Sequence, residues 1–252
     1  MIADSPCEAI ILNYTNYGDA DRIVTLLTLE HGICGAFARN ARNSRRRFGA
    51  ALQPLNRVRV LWQLRRRSGL PQMAEIELLE SASGLVENLE TLALGAYFCE
   101  LVNALVPPEQ PVPEVYNLLQ VCLRQLPQIS SYALARLLFE LRLLEMVGLL
   151  PHIGHCAMCW EPLRDEWLLF DAARGGTLCP RCVADKDGVP VQALTLGSLA
   201  RLLRVDCQRF AAIRLSEQTK SQARAVLTQV LNGCVGRRIK SEQFLSQILK
   251  DS

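Results

Sequence analysis

No lysine occurs in this 252-residue chain before Lys186. Nowhere do some eighteen uncharged apolar residues run together, so no membrane span is expected. The Met1 end lacks a basic-then-apolar leader, which predicts a reducing cytosol where thiols stay free or hold metal. None of Lys186, Lys220, Lys240 and Lys250 follows a glycine, which excludes the G-x-x-x-x-G-K-[ST] phosphate loop of a nucleotide-driven motor. None of His31, His152 and His155 has a glutamate two residues on, and Leu178 rather than proline precedes Cys179, which excludes the zinc-deaminase pattern. No carboxylate cluster suggests a two-metal nuclease, and no internal repeat or low-complexity segment is present. The expectation is a protein that is not an enzyme.

What is present begins with cysteine. Cys156 and Cys159 form one C-x-x-C pair, Cys179 and Cys182 form another, and nineteen residues separate them. Two such pairs predict one structural Zn2+ held by four thiolates, each pair setting two sulfurs on a tight knuckle. Iron bound in the same way, or two disulfides, would fit the spacing as alternatives. Four thiolates fill the coordination sphere, whereas a hydrolytic zinc keeps a position open for water. His152 and His155 read as ordinary linker histidines. Trp167 to Phe170 predicts a strand and Arg174 to Thr177 a turn inside the ribbon. So short a segment cannot bury enough apolar surface to fold alone, and the metal supplies what is missing. Cys7, Cys34, Cys99, Cys122, Cys207 and Cys234 read as small core residues.

The net charge of +3 matters less than its distribution. From Arg39 to Arg67 there are ten arginines and no acidic residue. Guanidinium gives planar forked donors for phosphate and can stack on bases. The host segment has the period of strands. Ala9–Leu12, Ile23–Leu29, Ile33–Ala38, Val58–Trp62 and Met73–Leu79 are short apolar or alternating runs, punctuated by glycine and proline. Five short strands in so few residues predict a closed barrel of the OB type, and count alone fits an SH3-like barrel almost as well. Arg39, Arg42, Arg45, Arg46 and Arg47 fall in the loop between the third and fourth strands. Arg57 and Arg59 lie on the face opposite the core, where cross-strand pairing with Glu75 and Glu77 competes with a DNA role. Arg65, Arg66 and Arg67 begin the next loop. These ten arginines are the candidate nucleic-acid contacts. Phe48 and Trp62 are candidate stacking aromatics, although so small a barrel needs both for packing.

From about Leu85 the period changes to 3.6. Helices are expected over Leu85–Val106, from near Pro113, over Ala133–Leu150, from a Thr195 cap to Val205, over Glu217–Leu231, and from a Ser241 cap onward. The fold class is α+β multidomain: an OB-fold barrel over 1–82, then an all-α domain over 83–252 carrying the four-cysteine zinc ribbon as an insertion over 152–185.

In order and spacing these residues resemble the RecO family of bacterial recombination mediators. Gly18 to Thr28 (G-D-A-D-R-I-V-T-L-L-T) with Glu30-His31-Gly32 is similar to that family's opening strands. Arg39-Asn40-Ala41-Arg42 with Ser44, then Leu52-Gln53-Pro54-Leu55, resembles its basic loop and next strand, with Asn40 where the family pattern has glycine. The cysteine pairs sit where zinc-bearing members carry theirs, and Arg237 to Ser241 with Phe244-Leu245 resembles the closing segment. The resemblance implies binding of single- and double-stranded DNA and annealing of complementary strands. It further implies partnership with RecR and with the C-terminal tail of single-stranded-DNA-binding protein, and indirect help in loading RecA in the RecFOR pathway. The place implied is the cytoplasm, at the bacterial nucleoid. The alternative reading is a zinc-stabilised adaptor whose arginines meet an acidic protein partner rather than DNA.

Overall fold

Alternation of apolar and polar residues builds the first third of the chain into sheet. The computed structural model describes residues 6–44, 47–63, 69–183 and 188–248. Strands β1 (Cys7–Tyr17), β2 (Asp21–Thr28), β3 (Gly32–Ala38), β4 (Arg57–Gln63) and β5 (Gln72–Glu80) close into a barrel in the order β1-β2-β3-β5-β4. A parallel contact between Phe37 of β3 and Gln72 of β5 joins antiparallel ladders on either side. That order decides between the two small barrels in favour of the OB type. Strand β1 is long enough to serve both neighbours: Cys7–Ile10 pairs with β4, and Ala9 onward pairs with β2. A register shift between Ile11 and Asn13 lets it bend between them.

The inward residues Ala9, Ile11, Val24, Leu26, Ala36, Ala38, Val58, Val60 and Met73 form one core. The β3–β4 loop plugs that core with Phe48, Ala51 and Leu52. Phe48 is only 2% exposed, so it is a packing residue and not a stacking platform. Trp62 also packs against this core and donates its indole N–H to Cys7 Sγ at 3.1 Å.

The helices depart from the periodic reading at their ends. The expected helix over Leu85–Val106 is two pieces, α1 (Ser83–Val86) and α2 (Leu89–Leu105). Asn88 is extended and its side chain accepts from Thr91 N–H, which starts a new helix there. Helix α3 (Pro113–Gln125) opens on proline, as expected. Helix α4 (Tyr132–Met146) stops short of Leu150 because Gly148 turns left-handed at φ 73°.

Beyond it, β6 (Trp167–Asp171) pairs with β7 (Gly176–Leu178) and with β8 (Val189–Gln192), a strand the sequence reading missed. Helix α5 (Ala193–Leu202) starts before Thr195, whose buried hydroxyl donates to Gln222 instead of capping. Helix α6 (Glu217–Cys234) is capped by Ser216. The last helix, α7 (Lys240–Ile248), includes Ser241 rather than starting from it as cap. Glu100 of α2 accepts from both Lys240 N–H and Ser241 N–H, so the cap comes from another helix.

The described chain forms two compact units, and they do not divide at the barrel's end. One is Met1–Pro127 with Ile239–Ser252, in which α7 packs on α2. The other is Gln128–Arg238, in which α4, α5 and α6 pack together with the ribbon. These compact units are drawn differently from the expected domains over 1–82 and 83–252. Leu245, fully buried, and the Glu100 cap assign the closing helix to the barrel's unit.

Candidate metal centre and nucleic-acid surface

Each cysteine pair begins on a tight turn. Trp160 N–H donates to the Cys156 carbonyl, and Cys182 N–H donates to the Cys179 carbonyl. A backbone bond from Ala157 to Thr177 ties the first knuckle to β7, which delivers the second. The four Sγ atoms of Cys156, Cys159, Cys179 and Cys182 come within 4.8 Å of one another. Cys159 and Cys179 Sγ stand 3.8 Å apart. A regular tetrahedron with metal–sulfur bonds of about 2.3 Å has sulfur–sulfur edges of about 3.8 Å. The set fits one tetrahedral ion.

The thiols are also electrostatically prepared. Burial by itself raises the Cys156 value, but N–H groups of Cys159, Cys179 and Met158 outweigh it and hold the group at about 6. Cys182 is pushed up to about 12, because it donates to the other sulfurs. Backbone N–H groups directed at the Cys156 sulfur favour the thiolate, the form that binds a cation. The apolar support beneath them is slight: Leu178, with Leu163 and Val183 packed alongside. His152 and His155 are outside the cluster. The His152 ring packs edge-on against Trp160 at 4.6 Å, and its backbone bonds to Gly175 and Thr177.

The arginines separate into kinds. Arg57 bonds Glu8 at 2.8 Å and Glu80 at 3.2 Å, and Arg59 bonds Glu77 at 2.7 Å. Cross-strand pairing is thus present, with Glu8, Glu77 and Glu80 as its carboxylates. The loop arginines are held differently. Arg42 donates through Nη1 to the Asp19 carbonyl at 2.9 Å. Arg47 donates through Nη2 to the Arg39 carbonyl at 2.8 Å and lies over the Phe48 ring. Carbonyls orient a guanidinium without neutralising it. Asn40 makes the turn possible: its φ is 58°, and its N–H donates to the Asp21 carboxylate at 2.6 Å. Arg39 and Arg42 are exposed and Arg47 half-buried. Arg45, Arg46, Arg65, Arg66 and Arg67 lie outside the described residues.

The sequence reading passed over Arg22 and three aromatics of the barrel. Arg22 stands 4.0 Å over the Tyr14 ring, and Tyr17 meets Phe37 edge-to-face. Strand parity sets Phe37 outward, whereas Tyr17 reaches the same side only through the register shift between Ile11 and Asn13, which the structure reveals. No helix among the described residues is long and apolar enough to cross a membrane.

Comparison with known proteins agrees along the whole chain. The family model described as "Recombination protein O N terminal" matches residues 1–82, and the one described as "Recombination protein O C terminal" matches 86–243. A "DNA repair protein RecO" of Syntrophotalea carbinolica is 42% identical over 245 residues, covering 97% of this chain and 95% of its own. One from Pelobacter propionicus is 35% identical, covering 97% of both chains. That of Bacillus subtilis is 32% identical, covering 96% of this chain and 94% of its own. Barrel order, four-cysteine cluster and near full-length identity converge, and the chain belongs to the RecO family.

Proposed function

We propose that this chain is a non-catalytic DNA-binding mediator of recombinational DNA repair. It binds single- and double-stranded DNA and brings complementary strands together. With RecR and the tail of single-stranded-DNA-binding protein, it helps recombinase onto coated DNA. The observation that carries this reading is the loop of Arg39, Arg42 and Arg47. Its described guanidinium bonds go to carbonyls and to the Ser44 hydroxyl, so its charge is left for a polyanion. Annealing requires only neutralised phosphates and bases left available to pair. Arg57 and Arg59 contribute less, since carboxylates already match their charge. The ion is one Zn2+, and it serves the fold of the ribbon.

The test is binding of the full chain to single-stranded and duplex DNA across a salt series, with annealing followed in parallel. Replacing Arg39, Arg42 and Arg47 together by glutamine should weaken both complexes. It should also flatten the single-strand salt slope by about 2, at roughly 0.7 for each phosphate no longer neutralised. Unchanged affinity and slope in a folded variant would remove these residues from the interface. Loss of binding to an acidic peptide, with no DNA binding by the wild type, would favour the adaptor reading.

A further inference from the structure

The pairing register sorts the barrel's residues by face. Val24, Leu26, Cys34, Ala36 and Ala38 point to the core, so Ile23, Thr25, Gly35 and Phe37 point outward. Tyr17 pairs with Asp21, two places from Ile23, and shares that outer side. One end of the outer face is covered. Ile33 bridges to Pro108 and accepts from Glu109 N–H, and a Cβ on Gly32 would strike the Gln110 carbonyl. Leu70 lies beside Gly35 in the middle of this face, and the other end carries Tyr17. Tyr17 is 56% exposed there and rests edge-to-face on Phe37, with ring centroids 5.8 Å apart and planes at 79°. That contact braces the tyrosine ring while leaving most of it open.

Charge surrounds this ledge. Arg39 follows Phe37 on the same strand path and is exposed. Arg42 is fastened to the Asp19 carbonyl, in the turn that follows Tyr17. Two carboxylates also lie in this turn: Asp21 accepts from Asn40 N–H, and Asp19 is exposed. A flat, braced π-face flanked by guanidinium groups matches one ligand: a chain of phosphates carrying rings whose faces are free. In a duplex those faces are already stacked.

We propose that Tyr17, braced by Phe37, stacks an unpaired base of single-stranded DNA while Arg39 and Arg42 hold the adjoining phosphates. The inference rests on the DNA-binding reading above and adds a strand preference to it. The phosphate attraction is common to single strands and duplexes, whereas stacking on Tyr17 is available only to the single strand.

The experiment compares three ligands: oligo(dT), an abasic tetrahydrofuran oligomer of the same length, and a duplex. Each is titrated against the full-length wild type, Tyr17→Ala and Tyr17→Phe. The wild type should bind oligo(dT) at least about fivefold tighter than the abasic strand. Tyr17→Ala should bring oligo(dT) down to the abasic value while leaving the duplex affinity and the salt slope unchanged. Tyr17→Phe should keep the preference, since it keeps the ring. Equal wild-type affinity for oligo(dT) and the abasic strand would overturn the ledge with DNA binding intact. So would a Tyr17→Ala loss shared by all three ligands. Absence of binding to all three by the wild type would overturn the underlying reading as well.

Discussion

The barrel and the cysteine ribbon are both small sheets, stabilised by opposite means. The barrel closes on itself and buries a cluster that runs from Cys7 to Met73, with Phe48 as its plug. The ribbon has three strands, and beside the knuckles its buried cluster consists of Cys156, Leu178 and Cys179. Apolar area can hold the first together; in the second, Leu168, Phe170 and Val191 are buried in the sheet, while the knuckles have little beneath them besides four sulfurs that could hold one ion. On the proposed function, the difference also separates roles. The barrel carries Arg39 and Arg42 exposed, where they can meet a ligand. The ribbon's thiols face one another, with Cys156 and Cys179 buried.

The largest expected effect would break this contrast at the ribbon. Cys156→Ser should abolish stoichiometric metal binding and loosen β6–β8, because the knuckles that β7 joins have little apolar support of their own. Hydrogen exchange should show loss of protection in β6–β8 with protection in β1–β5 retained. Metal held at full occupancy by the variant would show that another residue completes the site. Phe48→Ala should do the converse. It removes a buried ring from the barrel and should cost about 3–5 kcal/mol, read by denaturant titration, without reducing metal content.

The smallest effect concerns the carboxylate beneath the barrel's ion pairs. The Arg124 guanidinium holds the Glu80 carboxyl below the usual carboxylate range; burial opposes this and Arg57 assists it. A depressed folded value means that the stabilisation is complete above the unfolded carboxylate value and is lost as pH falls through the folded one. Glu80→Gln should cost under about 1 kcal/mol at neutral pH, since the pair is partly exposed. Its difference from wild type should vanish as pH is lowered below roughly 4. A penalty that persisted in acid would mean that Glu80 acts by packing rather than by charge.

Legibility followed the range of the interactions. The five strands were visible because alternation such as Arg57-Val58-Arg59-Val60 is a local pattern with one physical cause, a sheet with one wet face. The knuckles were visible because C-x-x-C sets two sulfurs on a single turn. Helix ends were less legible. Asn88 divides one apolar run, and Glu100 caps a helix 140 residues away, which no window around Ser241 can show. Strand β8 escaped notice because Val189–Gln192 is short and gains its identity only by pairing with β6.

By itself, the sequence determined the period of each segment, the two cysteine pairs that could hold a metal ion and the accumulation of guanidinium without acid between Arg39 and Arg67. All of these are properties of residues near one another in the chain. Only the tertiary structure decided which arginines are spent on Glu8, Glu77 and Glu80 and which rest on carbonyls. It alone buried Phe48 and exposed Tyr17, and it assigned α7 to the barrel's unit. These outcomes turn on partners brought together by barrel closure and helix packing, and neither composition nor spacing specifies such partners.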